Sequence, residues 1–175
     1  MPKDVELMAH PIVNETIVRA AEFHQGQVDK LGAPYYFHPM RVMMRLGPDA
    51  ADAEKHAALL HDAIEDNPDV TPARLRELGY SEDVLAMIEL VTRRKPMSYN
   101  EFIDRIVTSG NQGAMRIKLA DLYDNTNGER LNGAPWEVRE KLVAMAESRY
   151  KPAIAKLKLA LGAHADSVIS GMIHG

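Results

Sequence analysis

The stretch AALLHDAIED, Ala57 to Asp66, constrains this chain more than any other. Its apolar residues repeat at helical spacing, yet His61, Asp62, Glu65 and Asp66 sit among them. Unpaired charge is costly to bury, so any fold that packs this segment must bring a compensating partner to it. Residues four apart stack on one face of a helix, so His61 is expected over Glu65 and Asp62 over Asp66. His61 and Asp62 can then turn toward one point beside the helix. Imidazole with carboxylate suits a divalent transition metal such as Mn²⁺, Fe²⁺ or Zn²⁺. Two ligands are too few, and two further candidates stand out. His38 lies in YYFHPM, where Pro39 defines the local chain, and Asp121 lies in the otherwise apolar run IKLADLYDN. Singly, His38 reads equally as a hydrogen-bonded turn histidine and Asp121 as a salt-bridge partner of Lys118. Together, two nitrogens and two oxygens would leave positions for water and substrate. Glu65 and Asp66 would be spare carboxylates able to move protons.

Helical periodicity dominates the rest of the chain, and no strand-like alternation lasts long enough to compete. A first helix is expected over 14–27, with Ile17, Val18, Ala21 and His24 along one side. The segment GQVDKLGAPYYFHP, broken by its glycines and proline, then reads as a loop. Pro39 opens a helix to Arg45, and one continuous helix is expected over 51–66. Thr71 and Ser81 read as caps of the next two helices, ending at about Gly79 and Thr92. Ser98 and Glu101 form a capping box before FIDRIV. Residues 112–125 make a further helix, TNGERLNGAP a loop, and Pro135 begins a long helix to Leu161 that Pro152 must interrupt. A last short helix is expected over 163–173. These elements give an all-α, single-domain expectation of about eight to ten helices across residues 1–175.

A length of 175 residues suits one core, and 46% apolar with 26% charged residues is an ordinary soluble composition. The formal charge of -4 argues against coating nucleic acid or an anionic membrane, and neither is an expected partner. Cysteine is absent, which removes disulfides, zinc–thiolate sites and a cysteine nucleophile. The opening MPKDVELMAH has no signal-peptide core, and no apolar run approaches the ~20 residues that span a bilayer, so a cytoplasmic protein is expected. Serine-hydrolase, phosphate-loop and dinucleotide-loop signatures are missing. His10, His24, His56, His164 and His174 read as surface or capping residues. Leu142, Met145, Ile154, Leu157 and Leu161 read as monomer core, with a homo-oligomer face as the alternative. The ten methionines read as core filler.

In order along the chain, FHQGQVDKLGAPYYFHP, ALLHDAIED, VTPARLRELGY, VTRRKPMSYNEFIDRI and IKLADLYDN resemble the hydrolase domain of RelA/SpoT homologues. That family consists of HD-domain enzymes that remove the 3′-pyrophosphate from guanosine alarmones. The resemblance implies an HD-domain fold and a stand-alone small alarmone hydrolase. It implies metal ligands, usually for Mn²⁺, at His38, His61, Asp62 and Asp121, and catalytic carboxylates at Glu65 and Asp66. It also implies nucleotide contacts from Lys30, Asn125 and Tyr150. One departure matters: many relatives carry Arg-Lys where this chain reads Asp29-Lys30. Aspartate cannot stack on a base as a guanidinium can, although it can accept hydrogen bonds from a base edge. Guanosine and adenosine 3′-pyrophosphates, (p)ppGpp and (p)ppApp, both stay open as substrates. Lys30, Arg41, Arg45, Arg93, Arg94, Lys95, Lys118 and Arg149 are candidate phosphate partners. Other readings are a different nucleotide phosphohydrolase, including one acting on a phosphorylated nicotinamide cofactor, and a non-catalytic nucleotide-sensing module.

Overall fold

Helix α8, Gln112–Asn125, is largely interior: Ile117, Leu119, Ala120 and Leu122 are fully buried, and Asp121 and Asp124 are buried with them. Burial around most of its circumference requires neighbours there, and the surrounding helices supply them, which makes α8 the central element. The computed structural model describes residues 11–128 and 134–171, and among these it contains helices and one isolated β-bridge. Around α8 stand α1 (Pro11–Phe23), α2 (Phe37–Arg45), α3 (Asp52–Leu60), α4 (Ala63–Asp66), α5 (Pro72–Glu77), α6 (Glu82–Val91), α7 (Tyr99–Thr108), α9 (Trp136–Met145) and α10 (Lys151–Leu161). Helix α3 packs on α1, α2 and α6, while α8 packs on α2, α3, α6, α7 and α10. Leu60, Ile88, Phe102, Ile106 and Leu157 close the core between them. No described helix is long and apolar enough to cross a membrane.

Local chemistry sets most boundaries. Thr71, Ser81, Ser98 and Asn111 each accept a backbone N–H of the first turn they precede. Glu101 reaches back to the Ser98 N–H at 2.8 Å and completes the capping box. Gly26, with φ of 77°, takes the left-handed turn that releases the chain from α1, four residues earlier than periodicity indicates. The buried line of α1 is Thr16 and Ala20, continued by His24 just past its end, whereas Val18 is exposed. An i, i+4, i+8 line is as helical as the expected one but is rotated, because two of its members are polar and bonded. Thr16 Oγ1 lies 2.9 Å from both His56 Nδ1 and the Tyr80 hydroxyl, and His24 Nδ1 lies 2.7 Å from Gln27 Oε1. His24 and His56 are therefore interior groups that tie α1 to the body, not surface residues. His164 is exposed, and His10 and His174 lie outside the described residues.

Two expected continuous helices are broken. The 51–66 helix stops at Leu60, turns through His61 and Asp62, and resumes as the single turn α4. The late helix is interrupted by a π-helical turn over Ala146–Tyr150, immediately before Pro152 enters the first turn of α10. This displacement of the break is expected, since proline lacks an N–H and its ring crowds the preceding turn. Helix α9 has no buried residue, so Leu142 and Met145 do not belong to the core, while Leu157 and Leu161 do. A 3₁₀ segment, Gly162–Ser167, follows α10 in place of an α-helix.

One ion pair fixes the three site-bearing helices. Arg116 on α8 grips Glu54 on α3 at 2.7 and 2.9 Å and donates to the Leu46 carbonyl at the end of α2 at 2.9 Å. Leu157→Ala, which empties a fully buried position, should cost about 2–5 kcal/mol. Leu159→Ala, two residues on at a position 86% exposed, should change stability by less than ~0.5 kcal/mol. Urea unfolding of both variants checks the orientation of α10.

Candidate metal centre and nucleotide cavity

The loop between α1 and α2 is folded by its own carboxylate. Asp29 Oδ1 accepts the N–H groups of Leu31 and Ala33 at 2.8 and 3.0 Å, and the Tyr35 N–H returns to the Gln27 carbonyl at 3.0 Å. This tight loop delivers Tyr35 and then His38, in the first turn of α2, to the interior. Opposite them, the break between α3 and α4 turns His61 and Asp62 inward, and one face of α8 adds Asp121 and Asn125.

Four side chains from distant parts of the chain meet there. His38 Nε2 lies 3.2 Å from Asp121 Oδ1 and 3.6 Å from Asp62 Oδ2. His61 Nε2 lies 3.1 Å from Asp62 Oδ2 and 4.0 Å from Asp121 Oδ1. Their outward nitrogens are both engaged: His61 Nδ1 lies 2.7 Å from the Ala58 carbonyl, and His38 Nδ1 lies 2.8 Å from Asp124 Oδ2. A carbonyl can only accept, so His61 donates from Nδ1. In its neutral form the ring then presents a bare Nε2 to the centre, 3.1 Å from Asp62 Oδ2. A buried lone pair facing carboxylates is the arrangement a divalent cation satisfies. The donor set therefore fits a metal.

The electrostatics agree. Burial disfavours the charge of Asp62 and Asp121, but His61 and His38 beside Asp62, and Lys118 and His38 beside Asp121, hold both carboxyl groups well below their usual range. Burial also opposes a proton on His38, yet Asp121, Asp124 and Asp62 outweigh it and raise its pKa to about 9. Lys118 donates to Asp121 Oδ2 at 2.6 Å, Asn125 Nδ2 donates to Asp121 Oδ1, and the Tyr35 hydroxyl donates to Asp62 Oδ2 at 2.6 Å. Lys118 thus pairs with Asp121 while Asp121 also faces the centre, so the salt bridge and the candidate ligand are compatible.

A cavity of about 440 Å³ opens beside this centre, lined by Asp29, Lys30, Tyr35, His38, Asp62, Lys118, Asp121, Asn125, Leu142 and Tyr150 among others. Its floor is polar, and Val28, Leu31, Leu142 and Tyr150 add apolar and aromatic surface. Such a mixed cavity suits a nucleotide, whose phosphates need cations and whose base needs a flat face. Glu65 and Asp66 do not line it. They are exposed on α4, where Glu65 Oε1 accepts the Arg93 N–H at 2.5 Å and Asp66 Oδ2 lies 4.0 Å from His24 Nδ1. Partial burial and the charge of Asp62 raise the pKa of both above the ordinary carboxylate value, against the pull of the Arg93 N–H on Glu65.

Of the cations singled out as phosphate partners, Lys30 and Lys118 reach the cavity wall. Arg41 and Arg45 are spent inside the protein, on Asp124 and on the carbonyls of Ile169 and Gly171. Arg94 pairs with Glu89 at 2.6 Å. Asp29 reaches the cavity wall, but its Oδ1 belongs to the loop. The Tyr150 hydroxyl donates to Met145 Sδ across the π-turn at 2.8 Å. Sequence reasoning missed Tyr35 and Asp124. The i, i+3, i+4 spacing of Asp121, Asp124 and Asn125 on one helix face was the signal for the second.

No family model matches the chain. Over 140 residues, 71% of this chain, it is 34% identical to a guanosine-3′,5′-bis(diphosphate) 3′-pyrophosphohydrolase of Aquifex aeolicus, of which it covers 20%. It is 32% identical over 121 residues, 66% of its length, to the bifunctional (p)ppGpp synthase/hydrolase SpoT of Escherichia coli, of which it covers 17%. A GTP pyrophosphokinase of Myxococcus xanthus is 38% identical over 88 residues, 50% of this chain and 11% of that protein. The chain thus spans about a fifth or less of the length of these curated relatives.

Metal uptake at neutral pH must displace the His38 proton, so affinity for Mn²⁺ should climb as pH rises toward about 9, with proton release visible by calorimetry in buffers of different ionisation heat. In metal-free protein the same raised pKa contributes stability that is complete below the ordinary value of 6.5 and fades as pH rises through about 9. Thermal unfolding across that range, without and with excess Mn²⁺, checks both signs.

Proposed function

From the premise that this chain belongs to the RelA/SpoT hydrolase family, we propose that it hydrolyses the 3′-pyrophosphate of purine nucleotide alarmones. The products are pyrophosphate and a nucleoside 5′-di- or triphosphate. The observation that carries the reading is the meeting of His38, His61, Asp62 and Asp121 beside the cavity, with a bare imidazole nitrogen among the carboxylates. These four residues would hold the divalent metal, Mn²⁺ in this proposal. Bound there, the metal supplies an acidified water and a polarised phosphoryl oxygen.

The chain's own residues supply the rest. Water adds to the phosphorus joined to the 3′ oxygen, the 3′ O–P bond breaks, and the pyrophosphate leaves carrying the oxygen from water. One proton must leave the water and one must reach the 3′ oxygen. Glu65 and Asp66, with proton affinities raised by burial and by Asp62, are the groups suited to that exchange. Tyr35 and Asn125 orient the Asp62 and Asp121 carboxylates. Lys118 offsets negative charge at the floor, and Lys30 meets phosphate at the rim. Asn125 also faces the ribose, and Tyr150 with Leu142 offers the base a flat, apolar wall. Because Asp29 Oδ1 is already bonded to the loop, the base is held by that wall and not by a stacked arginine. Such a wall accepts either purine, so guanosine and adenosine alarmones are both substrates in this reading.

Purified protein with Mn²⁺ should release pyrophosphate from guanosine or adenosine 3′-pyrophosphates. Release of inorganic phosphate from other nucleotides, with no pyrophosphate from either alarmone, would point instead to a different phosphohydrolase. Tight binding without turnover would identify a sensing module. Glu65→Gln and Asp66→Asn should each keep metal affinity while turnover falls by about 10²–10⁴-fold. Full turnover in either variant removes that carboxylate from the mechanism.

A further inference from the structure

The two imidazoles of the centre are aimed by different means. His61 is held through Nδ1 by the Ala58 carbonyl of its own helix, a partner that no side-chain change removes. His38 is held through Nδ1 by Asp124, which lies one turn beyond Asp121 on α8 and is fully buried. Asp124 is itself clamped. Arg41 Nε donates to Oδ1 at 2.8 Å and an Arg41 amino group to Oδ2 at 3.1 Å, while Arg45, buried completely, stands 3.5 Å from Oδ1. Arg45 is anchored in turn by the Ile169 and Gly171 carbonyls, at 3.0 and 2.7 Å. The segment after the 3₁₀ turn therefore braces Arg45, Arg45 and Arg41 brace Asp124, and Asp124 braces His38.

We propose that Asp124 is the positioning residue of the metal centre: through its hydrogen bond with Nδ1 it fixes the His38 ring and tautomer so that Nε2 faces Asp62 and Asp121. The inference rests on the metal-site reading above and adds to it a residue that touches neither metal nor substrate. A carboxylate can only accept, so the shared proton belongs to His38 Nδ1, and the neutral ring must present its lone pair at Nε2. A rigid carboxylate matters more for His38 than it would at the surface, because the ring bridges two helices. Its backbone belongs to α2 and its target atoms lie on α8 and at the break after α3. Without Asp124 the ring can rotate, or place its proton on the nitrogen that faces the centre.

Calorimetric titration with Mn²⁺ tests this directly. Asp124→Asn keeps an acceptor for the Nδ1 proton but loses the charge, and should weaken Mn²⁺ binding about tenfold; Asp124→Leu should weaken it about 100-fold. Ile106→Val, a core change on α7, which contributes nothing to the cavity, should destabilise the protein yet leave Mn²⁺ affinity within about twofold. Should the Asp124 variants fail to fold, wild-type protein still decides the matter. With ¹⁵N-histidine labelling and Zn²⁺ as a diamagnetic probe, the His38 signal, identified by its loss in His38→Gln, should show a protonated Nδ1 and no proton on Nε2. Unchanged Mn²⁺ affinity in folded Asp124→Leu overturns the role of Asp124 and leaves the metal site standing, whereas a proton on Nε2 of the Zn²⁺-loaded protein removes His38 from the ligand set and overturns both. Wild-type protein that takes up no Mn²⁺ overturns both.

Discussion

Opposed charges drawn into one water-poor junction organise this molecule. Asp62, Asp121 and Asp124 sit where α2, α3 and α8 converge, and isolated there each would be intolerable. Each is met by donors: Tyr35 at Asp62, Lys118 and Asn125 at Asp121, His38 and two arginines at Asp124. The remaining inward-facing atoms, the imidazole Nε2 groups and one edge of each of two carboxylates, are left pointing at a common space. A candidate site for a divalent cation is what remains when the other valences of such a cluster have been satisfied from behind.

That requirement explains features of the fold that look unrelated. The break after Leu60 sacrifices helix continuity to turn His61 and Asp62 inward. Arg116 bridges α8 to both other site-bearing helices, so their separation is set by an ion pair and a main-chain bond as well as by packing. The segment near residue 170 reaches the junction through Arg45. Apolar burial supplies the driving force for the bundle, and polar contacts select which of its possible packings is adopted.

Much of this was legible beforehand. Caps at Thr71, Ser81 and Ser98 and the span of α8 follow from local rules, because the atoms that satisfy a helix end lie within a few residues of it. His38, His61, Asp62 and Asp121 could be picked out because titratable residues inside apolar runs are conspicuous. Failures came where a distant partner decides. His24 and His56 look like surface histidines until Tyr35 and Asp66 meet the first, and Thr16 and Tyr80 the second. Arg41 and Arg45 look like phosphate ligands until Asp124 claims them. Periodicity carries the angle around one helix axis and says nothing about which neighbour will fill that angle.

The amino-acid order alone determined an all-α chain, the helix ends that carry their own caps, and the types of side chain available for chemistry. These depend on interactions spanning one or two turns. Only the tertiary structure decided that residues 38, 61, 62 and 121 share one point, that Asp124 stands behind His38, and that Glu65 and Asp66 do not line the cavity. Those facts depend on how helices cross, and crossing is settled by the joint packing of side chains that local spacing cannot relate to one another.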